Sequence, residues 1–377
     1  MAGVITSKSK LRNKAGELLA IADIEINGSR PWDIQILNEN FFTKVLSKGS
    51  VGLGESYMDN WWQVDQLDEF FTKLLSANID QHASVKNIGW DIIRAKLFNQ
   101  QTQRQAFANA QHHYDAGNDI YQRMLDKRMI YSCGYWKNAR NLDEAQEHKL
   151  DLACKKLYLE PGMRLLDVGC GWGETARFAA EKYGVEVVGV TVSKDQYKIA
   201  KEKNRSLPVE IRLQDFRDLK EKFDRIVSIG MFEHVGCKNY RTYFSKMKEN
   251  LKSDGLFLLH TIGSNLSVSN IDEWIGKYIF PNAMLPSVRQ IGETSEGEFV
   301  LEDWHNFGPD YDKTLMAWYK NFNTSWDDLK DKYGERFYRM WEYYLLSCAG
   351  SFRSRKNQLW QIVFSPEGMP GGYVTVR

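Results

Sequence analysis

Arg164-Leu-Leu-Asp-Val-Gly-Cys-Gly-Trp-Gly-Glu174 decides how the rest of the 377-residue chain is read. Its apolar run, with Asp167 near the end, reads as a buried parallel strand. Three alternating glycines, Gly169, Gly171 and Gly173, follow at once. Glycine accepts positive φ and lets a ligand approach the backbone closely. Thr175 to Tyr183 then carries an apolar face at helical spacing through Ala176, Phe178, Ala179 and Tyr183. Strand, Gly turn and helix start form a cradle whose free N–H groups suit a carboxylate or phosphate. Such a turn alone discriminates poorly, because nucleotide folds and structural turns share it. The second apolar strand, Glu186 to Ser193, supplies the βαβ context. It ends in Thr191 and Ser193 with Gln196 beyond, where a dinucleotide fold places an acid for the ribose. That counts against NAD, although Thr and Gln also hydrogen-bond a ribose.

Asp167-Val-Gly-Cys-Gly-Trp-Gly173 resembles the first motif of class I S-adenosylmethionine-dependent methyltransferases. The resemblance implies an α/β fold with a Rossmann-like seven-stranded sheet. Downstream, the pattern predicts a helix over Lys194–Leu207 and a strand over Val209–Leu213 ending in Gln214-Asp215. A fourth strand, Phe223–Gly230, runs into Met231-Phe-Glu-His-Val-Gly236, and a helix follows over Tyr240–Leu251. A fifth strand, Gly255–His260, ends in His260-Thr-Ile-Gly263. Four successive strands thus end in polar or Gly-rich motifs, at the edge where open α/β sheets bind ligands. Ser264–Gly308 reads as an insertion, Lys313–Tyr333 and Glu335–Arg353 as helices, and Leu359–Phe364 with Gly372–Val376 as a closing hairpin.

Upstream, residues 1–97 read as a small N-terminal domain of mixed α+β character, with helices over Lys14–Ala22, Asn40–Ser47 and Leu67–Leu75. Asp33–Leu37 reads as a strand and Gly49–Gly54 as a turn. Ser84–Gln105, in the linker to about residue 110, is an amphipathic helix carrying Trp90, Phe98 and basic residues. It suits either a membrane interface or an interdomain or oligomer contact. Gln111–Asp119 opens the catalytic domain, 111–377, and a helix over Leu142–Leu159 leads into the decisive strand.

A formal charge of +1 leaves no global basic field that would mark a nucleic-acid binder. Five cysteines without CxxC pairing point away from a disulfide framework or a metal site and towards a reducing cytoplasm. No signal-peptide core opens the chain, and no apolar run is long enough to span a bilayer. Twelve tryptophans among 13% aromatics fit a large core or a π-rich binding cavity.

Glu233 and His260 end strands expected to be neighbours, so a polar pair over a bound cofactor is expected from position alone. Cys133, Cys348, Cys154, Cys170 and Cys237 read, taken singly, as small apolar groups. Taken together, Gly52–Asp59, Trp61-Trp62, Tyr131-Ser-Cys-Gly-Tyr-Trp136, the Gly turn, Gly230–Gly236, His260–Gly263 and Asp303-Trp-His-Asn-Phe-Gly308 resemble the bacterial cyclopropane-fatty-acyl-phospholipid synthases over nearly the whole chain. Glu174 departs from the pattern, standing where that family often has a small residue.

The resemblance implies transfer of a methylene from S-adenosylmethionine to the cis double bond of phospholipid acyl chains. It implies a bound bicarbonate as base, held by Cys133, Glu233, His260, Tyr311 and the backbone of Ile262. Cys348 matches a family cysteine considered as a nucleophile, although methyl transfer to an alkene needs no covalent enzyme intermediate. For the cofactor it implies Tyr131 and Ser132 near the methionine end, and Asp167, Gly169, Cys170, Gly171 and Gly173 under the amino acid. Thr191 and Gln196 fall at the ribose, Gln214 and Asp215 near adenine. Tyr135, Trp136 and Phe232 are the aromatic faces available to a transient cation. The N-terminal domain would present lipid and mediate a homodimer, on a cytoplasmic protein peripherally associated with the inner membrane. Rival readings are a plain lipid C-methyltransferase, a methyltransferase acting on a polar small molecule and a non-catalytic lipid-binding protein. A nucleic-acid methyltransferase would be expected to show a basic face and base-flipping contacts, and neither is evident.

Overall fold

The computed structural model describes residues 2–78, 117–268 and 271–377. The expected helix at 84–105, the boundary near 97 and residues 111–116 lie outside the described residues. Two compact units emerge. One combines the N-terminal segment with Asp272–Phe280 and Tyr311–Asn357, and the other holds the central sheet.

In the first unit, helices Ala2–Ile21, Asn40–Met58 and Leu67–Ser76 accompany a short antiparallel pair, β1 (Gln35–Ile36) and β2 (Trp62–Gln63). The stretch expected to turn at Gly49–Gly54 is helical, with a kink confined to Gly49 at φ 54° and ψ −131°. Gly52 and Gly54 serve packing instead. A Cβ on Gly52 would strike the Lys44 carbonyl, and one on Gly54 the Trp274 indole. Helix Glu335–Arg353 lies against Leu67–Ser76 at similarly close range, since a Cβ on Gly350 would sit 2.7 Å from that of Phe71.

The second unit is built on β3 (Arg164–Val168), β4 (Glu186–Thr191), β5 (Val209–Leu213), β6 (Phe223–Ile229), β7 (Leu251–Ser264), β8 (Val300–Asn306) and β9 (Asn357–Ser365). Their order across the seven-stranded sheet is β5-β4-β3-β6-β7-β9-β8. β5, β4, β3, β6 and β7 pair in parallel, while β8 runs antiparallel to β9. Side chains alternate between two cores, as strand geometry requires. Leu166 and Val168 face Tyr243, Phe244 and Phe257, whereas Leu165 faces Leu150, Ala176 and Ala179. Helices covering both faces explain why these strands read as nearly unbroken apolar runs.

The closing hairpin expected from Leu359–Phe364 and Gly372–Val376 does not form. β9 pairs instead with β8, inside the segment read as an insertion. Asp303, His305 and Asn306 hide β8 in the sequence, and Gly368, Gly371 and Gly372, all at positive φ, turn the tail out of strand geometry. The tail is tied down by side chains, with the Tyr158 hydroxyl donating to the Val374 carbonyl at 2.6 Å.

Helix Leu142–Lys156 begins at Asn141, whose side chain accepts the Glu144 N–H at 2.9 Å. Asn141→Ala removes that cap and is expected to cost about 1 kcal/mol. Chemical denaturation checks this, and an unshifted midpoint would show that solvent replaces the cap without loss.

Candidate active site

β3 and β6 are parallel neighbours from which the strand order proceeds outward in opposite directions, to β4 and β5 on one side and to β7 on the other, so a crevice opens at their carboxyl ends. The glycine turn leaves β3 there. Gly169, Gly171 and Gly173 have φ of 80°, 55° and 82°, a region that disfavours any side chain. The Gly169 and Cys170 N–H groups both donate to the Val190 carbonyl, stitching the turn to β4. A Cβ on Gly169 would press within 2.6 Å of Met231, whereas Gly171 faces open space.

That space is a cavity of about 240 Å³. Tyr131, Ser132, Asp167, Gly169, Cys170, Gly171, Thr191, Gln196, Gln214 and Asp215 all line it; Gly173 does not. Thr191 donates its hydroxyl to Gln196 Oε1 at 3.0 Å and accepts the Ser193 N–H. Asp215 is clamped by Arg217 through two side-chain bonds of 2.8 and 2.7 Å. Asp167 is buried and its Oδ2 has no partner. Burial pushes its carboxyl up to about 7, against the pull of Lys149 and of the Ala176 N–H. Glu174 also lines the cavity, and it is balanced by Lys203 at 3.0 Å and Arg128 at 3.5 Å.

Beyond the cavity, Glu233 follows β6 and His260 lies on β7. The Ile262 N–H donates to Glu233 Oε1 at 2.8 Å, so the amide expected to face an anion engages the carboxylate. His260 and Ile262 point to the same face of β7 by strand alternation. Glu233 Oε2 and His260 Nε2 are both buried and without a partner. Desolvation pushes Glu233 up to about 7, opposed by the Ile262 amide. Burial also drives His260 well below its usual value, helped by the positive charges of Lys149 and Lys156, so it is neutral. Its Nδ1 lies 3.2 Å from Gln361 Nε2. An amide donor there leaves the hydrogen on Nε2, facing away from Gln361. Cys133 is wholly buried, its Sγ 3.1 Å from the Gly134 carbonyl oxygen.

A family model described as mycolic acid cyclopropane synthetase matches residues 101–362. The cyclopropane-fatty-acyl-phospholipid synthase of Escherichia coli (strain K12) is 56% identical over 366 residues, 96% of this chain and 95% of that one. The chain belongs to the mycolic acid cyclopropane synthetase family. Among solved members, the cyclopropane synthase MmaA2 from Mycobacterium tuberculosis is 33% identical with a TM-score of 0.64 over 68% of this chain and 97% of that one. The mycolic acid cyclopropane synthase CmaA1, solved with SAH and CTAB, is 36% identical with a TM-score of 0.65 over 68% and 97%. The fold is that of S-adenosylmethionine-dependent methyltransferases.

Cys133, Glu233, His260 and Ile262 lie in the second unit with the cofactor-side residues named from the sequence, and a hydrogen bond joins Glu233 to Ile262. Tyr311 and Cys348 belong to the first unit. The Tyr311 ring lies tilted against Phe352 at 4.6 Å, and burial pushes the Cys348 thiol up to about 12. Of the aromatic faces named from the sequence, Phe232 is stacked on Tyr240 at 4.2 Å, which covers one face of its ring. Tyr135 is packed edge-on to Phe307, which in turn packs edge-on to His260. Sequence reasoning missed Lys149, Trp172 and His234, all of which line the cavity. The buried face of helix Leu142–Lys156 carries Gln146, Lys149 and Lys156 among its apolar residues, so no clear signal for Lys149 stood in the sequence.

Proposed function

We propose that the chain is a cyclopropane-fatty-acyl-phospholipid synthase, adding a methylene across the cis double bond of a phospholipid acyl chain. The observation that carries this reading is 56% identity to the Escherichia coli synthase across almost the full length of both chains. The pair of buried, unpartnered polar atoms beside the glycine cradle supports it.

S-adenosylmethionine would supply an electrophilic methyl group, the alkene π electrons forming the new carbon–carbon bond as the sulfur–methyl bond breaks and S-adenosylhomocysteine leaves. The cavity fits that cofactor, with positive-φ glycines that let it approach the backbone and an orphaned Asp167 oxygen that awaits a donor. The lipid cation left by methyl transfer closes to a ring once the added methyl loses a proton. Bicarbonate supplies the base, and the residues fit it. Neutral His260 offers a donor at Nε2, while Glu233 Oε2, near its midpoint at neutral pH, accepts or returns a proton. Burial keeps stray water from the cation, which would otherwise end as an alcohol. Phe307, edge-on to His260, and Tyr135, edge-on to Phe307, are aromatic rings on this side of the site that would face positive charge.

The reading extends to a substrate held in a membrane. Among the described residues no helix is long and apolar enough to cross one, so contact would be peripheral, at the cytoplasmic face of the inner membrane. The N-terminal domain, expected over 1–97, would present lipid and support a homodimer.

Incubation with S-adenosylmethionine and vesicles of cis-unsaturated phospholipid, followed by mass spectrometry, tests the reaction. The expected product gains one CH₂ per converted chain and no longer takes up hydrogen. Retention of the double bond with the extra carbon would instead mark a methyltransferase without ring closure.

A further inference from the structure

Lys149 is the buried charge that the proposed chemistry leaves without a role. It stands on helix Leu142–Lys156, has no exposed surface and donates to Ser132 Oγ at 3.0 Å. Among the described residues no carboxylate oxygen forms an ion pair with it. Asp126, the largest opposing charge, is occupied by the Ile130 and Arg128 N–H groups at 2.8 and 3.0 Å. Across the cavity wall, Asp167 has a buried Oδ2 with no partner. Lys149, Ser132 and Asp167 all line the cavity, together with the glycine turn.

A desolvated ammonium and a desolvated carboxyl are unfavourable apart from opposite charges. Burial lowers Lys149 to about 8 and raises Asp167 to about 7 although each charge pulls on the other, and no hydrogen bond joins them: Lys149 donates to Ser132 while Asp167 Oδ2 is without a partner. The missing complement is a ligand with a carboxylate at one end and an ammonium beside it, which is an α-amino acid. We propose that Lys149, together with Ser132, binds the carboxylate of the methionyl end of S-adenosylmethionine, with Asp167 taking its ammonium. This rests on the cofactor reading above and adds to it a cation that no glycine-turn motif encodes. A zwitterion satisfies both groups at once without changing the net charge of the cavity.

A pair of ligands separates this role from support of the cavity's shape. S-adenosylhomocysteine keeps the amino-acid end, and 5′-methylthioadenosine keeps the nucleoside and sulfur but lacks it. Calorimetric titration of the full chain is expected to show Lys149→Met weakening S-adenosylhomocysteine by about tenfold or more. Its affinity for methylthioadenosine is expected to stay within about twofold of the parent. Lys149→Arg, which keeps the charge, is expected to retain most of the discrimination. Equal weakening of both ligands by Lys149→Met would overturn the proposal in favour of a structural lysine. No weakening of either would overturn it outright. Lys149→Gln replaces Lys149→Met should the latter fail to fold, and methylthioadenosine binding reports the fold in each variant. A parent protein that binds neither ligand would instead sink the cofactor reading itself.

Discussion

Glu233→Gln is expected to lose turnover by roughly 10²- to 10⁴-fold while becoming more stable than the parent at alkaline pH. The two effects share one cause. Glu233 is a buried acid whose Oε1 accepts the Ile262 N–H and whose Oε2 has no partner. Glutamine keeps the shape and the Ile262 bond but cannot ionise or take a proton. Desolvation raises the folded-state value to about 7 from 4.5. Folding therefore favours the protonated form, and the stability tied to this group is fully present below about 4.5. It is lost as pH rises through about 7, where folding must carry the ionised form. Relative to the parent, the variant should gain roughly 3 kcal/mol between pH 4 and pH 8. Denaturation midpoints at pH 5 and pH 8 measure the gap, and cyclopropane yield measures turnover. A gap that does not widen with pH would mean that Glu233 ionises as readily in the fold as in the unfolded chain, so that burial does not raise it. Retained turnover would remove it from proton transfer.

Much of this site was legible because its parts are local. A strand, three glycines and a helix start are contiguous from Arg164 to Tyr183, and the structure keeps that order to within a residue. The ends of β4, β6 and β7 were likewise readable, since parallel strands buried on both faces show as apolar runs that stop at the ligand edge. What could not be read was non-local. β8 looks polar because Asp303 engages Arg377 through two bonds of 2.6 Å and His305 engages Lys156 at 3.0 Å, partners distant in sequence. Gly52 and Gly54 look like turn residues until the Lys44 carbonyl and Trp274 are placed against them. Lys149 looks like one more solvated helix charge until Ser132 and the cavity are in view. Tyr311 and Cys348, close in sequence to elements of the sheet, are drawn into the first unit because Tyr311–Asn357 packs with the N-terminal segment.

Gly263 is the sharpest such case, and its replacement should damage the protein in two ways. It sits in His260-Thr-Ile-Gly263, where the sequence offers no reason for a glycine, and its backbone has no positive φ to demand one. The reason is Trp360 of β9, because a Cβ on Gly263 would collide with the Cζ3, Cη2 and Cε3 atoms of its ring. Trp360 cannot swing away freely, being 2% exposed and packed edge-on to Trp304 at 5.1 Å. Gly263→Ala must therefore displace the indole or widen the gap between β7 and β9. Overpacking of this kind costs about 1–3 kcal/mol, and more where the neighbours are rigid. The shift reaches chemistry as well, because the adjacent Ile262 N–H holds Glu233 Oε1 at 2.8 Å. Both the melting temperature and the turnover of Gly263→Ala are expected to fall. Trimming the obstacle tests the cause, since Trp360→Phe is destabilising alone but should recover part of the loss when combined with Gly263→Ala. The two changes would then be non-additive, as touching residues are. Strict additivity in a double-mutant cycle would show that the glycine is required by something other than the indole face.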